Sequence, residues 1–158
     1  MLDVRVQPLA VRNLLGAEAQ RVTDLLHAVP ADVPLWDATD AHLSAAEAVW
    51  NVLRGQPGID WVTAGKLLAR KRPLLVPVYD SVIRDALRPP SDQVWVTLGG
   101  ALGDERRRVA IEALRPPGLT PKVTTLRLLD VAVWMRHSDG TNARLVQQRV
   151  GIEVSPRA

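Results

Sequence analysis

Asp80 is the first residue of this chain placed to do chemistry. It stands in LLVPVYDSVIRDAL, after an apolar connector and just before the periodic run Val82, Ile83, Ala86, Leu87. An Asp there has two readings. It caps a helix, its carboxylate accepting orphan backbone N–H groups, or it serves as a catalytic carboxylate. Lys66 is the second candidate. As a nucleophile or phosphate contact it would face a cleft; otherwise its stem lies on apolar surface and its ammonium pairs with a carboxylate. Asp130 sits inside LRLLDVAVWM, where a buried carboxylate needs a partner. Arg127 is one turn back, and Arg84 and Lys66 are within reach through space, so Asp130 and Arg84 are read first as structural charge. Trp61 and Tyr79 lie close in sequence to Lys66 and Asp80 and offer aromatic faces for stacking or for core packing. His27, His42 and His137 lack metal-ligand spacing, so no metal is assigned, and no cofactor is expected.

Two basic clusters stand apart from these residues. Arg70, Lys71 and Arg72 close the central helix, and Arg106, Arg107 and Arg108 form a second triplet. Each would face phosphates or simply solvate a helix face.

The elements that must position these residues are helices. Pro8 opens a first helix that Gly16 ends. Ala17 to Val29 carries Val22, Leu25, Leu26 and Val29 on one stripe, and Pro30 closes it. The connector ADVPLWDATDAHL follows, with Trp36 expected to plug it onto the core. Ser44 with Glu47 makes a capping box for a third helix to Arg54. Gly55, Pro57 and Gly58 mark a tight turn. A helix from Trp61 to Arg70 follows and stops at Pro73. Beyond the helix opened by Asp80, Pro89 and Pro90 make a break and Asp92 caps Gln93 to Leu102. Then come Glu105 to Arg115 and the apolar helix Val123 to His137, expected to be central. The stretch 138–158 reads as a polar tail, extended from Arg144 to Val154. The expected fold is all-α: a compact bundle of six to eight short helices, in a single domain over 1–137, with a central helix-hairpin-helix at 49–71.

Composition bounds the function. The chain has 158 residues, enough for one domain with a proper core, and 47% are hydrophobic, which excludes a disordered chain. The net charge is +3 and cysteine is absent. Disulfides, thiolate zinc sites and cysteine nucleophiles are thereby excluded. No run approaches the ~18 apolar residues of a membrane span, and MLDVRVQPLAV has no signal-peptide pattern. A cytoplasmic protein is expected, with no membrane partner, as a monomer or weak homodimer.

The stretch from Gly58 to Arg84 resembles the helix-hairpin-helix DNA glycosylase superfamily. The hairpin is Gly58-Ile59-Asp60, Thr63-Ala64 matches the small residues after it, and VPVYDSVIR matches the apolar connector before the catalytic Asp. Asp80 lies 22 positions beyond Gly58, a spacing of the family's kind. The resemblance implies that Gly58, Ile59, Asp60, Trp61 and Thr63 bind a DNA backbone phosphate, helped by Arg70, Lys71 and Arg72. It also implies that a base is flipped into a pocket and that Asp80 stabilises positive charge on the sugar as the base leaves. Val62 occupies the position of the family's Schiff-base lysine, so a monofunctional N-glycosylase without lyase activity is implied. Lys66 lies one turn further along the same face. Asp60 stands where the family prefers glycine, and a carboxylate beside a bound phosphate is repulsive by roughly 1 kcal/mol. The wording KLLARKRPLLVPVYD also resembles an uncharacterised bacterial family of unknown function. The other functions open to this fold are a non-catalytic nucleic-acid or protein-binding scaffold and a small-molecule binder.

Overall fold

The computed structural model describes residues 4–88 and 93–149. Among them are nine α-helices and one short 3-10 turn, with no strand, so the all-α expectation holds. The expected cap at Asp92 and the break at Pro89–Pro90 lie outside the described residues.

The first four helices and the connector after them share one core. They are α1 (Pro8–Leu15), α2 (Ala19–Ala28), α3 (Asp40–Arg54) and α4 (Trp61–Lys71). Ala10, Val29, Val49, Leu53, Ala64 and Leu68 meet there, together with Leu75, Val76 and Val78 of the connector. The connector is buried from Leu75 to Val78, which is why its composition is almost wholly apolar. A second core lies beyond it. It gathers Leu35 of the 3-10 turn (Leu35–Asp37), Val94, Leu98 and Leu102 of α6 (Val94–Gly103), Ile111 of α7 (Glu105–Glu112), and Leu126 and Leu128 of α8 (Thr125–His137). Trp95 packs against both cores and Trp36 against the second.

Three local readings need correction. Helix α3 starts at Asp40, four residues before Ser44. Its capping box is Thr39 with His42: the Thr39 hydroxyl accepts from the His42 N–H, and His42 Nδ1 accepts from the Thr39 N–H, each at 3.3 Å. Ser44 and Glu47 are exposed positions inside the helix. Gly99 and Gly100 lie within α6, and a Cβ on Gly99 would stand 3.1 Å from the Leu35 carbonyl oxygen. Glycine there admits the 3-10 turn. Thr141–Arg149, expected to be partly extended, forms helix α9 and packs on α8 through the fully buried Ala143. Helix α8 buries Leu126, Leu128 and Asp130, but Val131 is 46% exposed, so it is a flank of the core and not its centre.

Candidate functional site

The hairpin between α3 and α4 is built from its own sequence. Gly58 adopts φ +72°, a left-handed conformation that side chains other than glycine rarely take. Ile59 is buried and anchors the turn, and its N–H donates to Gln56 O at 3.1 Å. Asp60 is the N-cap of α4 and accepts the Thr63 N–H at 2.7 Å. Thr63, through its backbone N–H and its hydroxyl, holds the Asp60 carboxyl below the usual carboxylate range, with Lys66 adding to the effect. The first-turn donors of α4 therefore already face a carboxylate. Gln7, just ahead of α1, lies over the turn: a Cβ added to Gly58 would fall 2.5 Å from its side-chain amide.

Asp80 caps α5 (Ser81–Leu87), its carboxylate accepting the Ile83 N–H at 3.0 Å. Helix α5 packs on α8, which carries Asp130. Asp130 is only 7% exposed and forms an ion pair with Arg127. Burial pushes its carboxyl up to about 6; Arg127 opposes this, the charge of Asp80 adds to it, and Lys66 opposes it. Asp80, Lys66 and Asp130 thus share one electrostatic neighbourhood, although they come from three helices. A carboxyl that titrates near neutrality is suited to moving a proton.

An aromatic wall stands beside Asp80. The rings of Trp61 and Tyr79 lie 5.7 Å apart with a 57° tilt. The Arg84 guanidinium sits 5.7 Å from the Trp61 ring centroid. Trp50 supports the wall by donating its indole N–H to the Trp61 carbonyl at 3.3 Å. Burial raises the Tyr79 hydroxyl above its ordinary value, while Arg84 pulls it down. Arg84 is not buried charge and does not meet Asp130. Its side chain is 51% exposed and pairs with Asp85 at 3.0 Å.

The basic clusters divide between surface and scaffold. Arg70 and Lys71 are exposed. Arg72 is committed inside the fold, donating Nε to Val29 O at 2.6 Å and another N–H to Leu26 O. It closes the C-terminal end of α2, where carbonyls lack helical partners. Arg108 does the same for α6, donating to Leu102 O and Gly103 O, with its guanidinium 5.2 Å from the Trp36 ring centroid. Arg107 stays on the surface beside Asp104, and Arg106 is exposed. Gln7 escaped sequence reasoning because a lone Gln gives no signal. Trp50, 11 residues from Trp61, could have been found only as an indole N–H needing an acceptor.

A family model described as a family of unknown function (DUF6308) matches residues 1–137. The chain belongs to that family. The match agrees with the resemblance to an uncharacterised family and lends no support to the glycosylase likeness, which rests on residues 58–84 alone. No curated protein and no solved structure matches the chain. Among the described residues no helix is long and apolar enough to cross a membrane.

Proposed function

We propose that this protein binds DNA through its helix-hairpin-helix and that Asp80 serves as the carboxylate of a monofunctional N-glycosylase. The observation that carries the reading is the position of Asp80. It caps α5 at the end of the connector from the hairpin, next to the Trp61–Tyr79 pair. A flipped base would stack on those rings, and Asp80 would face the sugar as positive charge develops. Lys66 and Asp130 set the local field, and Arg70 and Lys71 offer exposed charge to the backbone.

A second reading is favoured by the capped hairpin. Asp60 takes the Thr63 N–H in the first turn of α4 and Gln7 covers Gly58, which suits a turn used for internal packing in a non-catalytic scaffold. Release of free base from duplexes carrying single damaged bases separates the two. The catalytic reading expects release by the wild type and at least a hundredfold slower release by Asp80→Asn, with duplex affinity within twofold. No release from any damaged duplex, or equal release by the variant, assigns the protein to the scaffold class.

A further inference from the structure

A cavity of about 250 Å³ lies between the end of α4, the buried connector and the segment that opens α8. Its charged groups are Arg70, Lys122 and Arg127, its floor is apolar, with Val76, Val78 and Leu126, and no carboxylate lines it. Arg70 and Lys122 are exposed and have no acidic partner among the described residues. Arg127 gives one arm of its guanidinium to Asp130. Glu112, which accepts the Thr125 hydroxyl at 2.6 Å, is balanced by Arg115 at 2.8 Å. Three cations against the single carboxylate of Asp130 leave two positive charges facing the cavity.

Cations scattered on a solvated face are screened; these three line one cavity with an apolar floor, where a ligand displaces water and strengthens each interaction. Two net positive charges match a dianion. The fork of a guanidinium fits phosphate oxygens, and lysine adds a point charge. The volume lies just below the roughly 300–1,000 Å³ of typical ligand pockets, which suits a head group carrying one ring or a short chain. We propose that this cavity binds a small phosphate monoester, its dianionic head among Arg70, Lys122 and Arg127 and its apolar body on Val76, Val78 and Leu126. The proposal does not rest on the DNA-binding reading.

Titration of the isotope-labelled protein with phenyl phosphate at low salt, followed by amide chemical shifts, tests it. Benzyl alcohol serves as the uncharged control, and a short duplex without terminal phosphates as the diester source. Saturable shifts at Val76, Val78 and Thr124 to Leu126 with phenyl phosphate alone are expected. The double variant Arg70→Ala/Lys122→Ala should bind at least tenfold more weakly, and Arg12→Ala on α1 as tightly as the wild type. Among the described residues neither substituted side chain in the double variant makes a hydrogen bond, and an unchanged thermal midpoint verifies that it is intact. Absence of saturable shifts, equal shifts with benzyl alcohol, undiminished binding by the double variant, or shifts with the duplex but not phenyl phosphate would each overturn the proposal.

Discussion

Asp130 shows how a single residue's surroundings decide its chemistry. Its carboxyl is buried, and its ionised form loses hydration that one guanidinium does not restore. Its value rises from 3.8 to about 6 on folding. The folded chain therefore holds a proton that the unfolded chain has released. The stabilisation from this group is complete below pH 3.8 and is lost as pH rises through about 6. Asp130→Asn abolishes the titration while weakening the contact with Arg127 at every pH. Urea unfolding at pH 4, 5, 6 and 7 should show the variant gaining on the wild type by roughly 2–3 kcal/mol across that range. Parallel stability profiles would contradict the burial of an ionisable group here. The sequence showed that Asp130 is surrounded by apolar residues. It could not show that Asp80 stands close enough to push the same way, because α5 and α8 meet only in the fold.

Elements were legible where a local signal had no rival. Pro8 and Asp80 each sit at a helix start, and the apolar spacing after each is helical; the cap that Asp60 makes for α4 was not read, because the residue was weighed only as a hairpin position. The start of α3 was misread because Ser44-x-x-Glu47 fits the capping-box pattern, whereas the box that forms, at Thr39, is closed by a histidine outside that pattern. Packing chose the earlier one, since helix from Asp40 onward brings Leu43 against the second core. Thr39→Ala should lower stability by about 1 kcal/mol, and Ser44→Ala should change it by less than ~0.5 kcal/mol. Chemical denaturation of the two variants checks this; a larger loss for Ser44→Ala would restore the later start. The commitments of Arg72 to α2 were not legible at all, because they span 43 and 46 residues and resemble surface charge in the sequence.

At the scale of the molecule, the hairpin belongs to the first core and Asp80 sits where the connector leaves that core for α5. On the proposed reading, the buried connector would join the phosphate-binding turn to the carboxylate that faces the sugar. Membership of a family of unknown function leaves the activity to be decided by experiment on this chain. The decisive quantity is affinity for duplex DNA across a salt series, for the wild type and for Asp60→Gly. The account predicts binding that weakens with salt, with a slope of about −2 to −3 in log K against log salt for a few phosphate contacts. It also predicts tighter binding by Asp60→Gly, because the glycine removes a carboxylate that faces the same donors as a phosphate would. Failure of both proteins to bind duplex DNA at low salt would contradict the account.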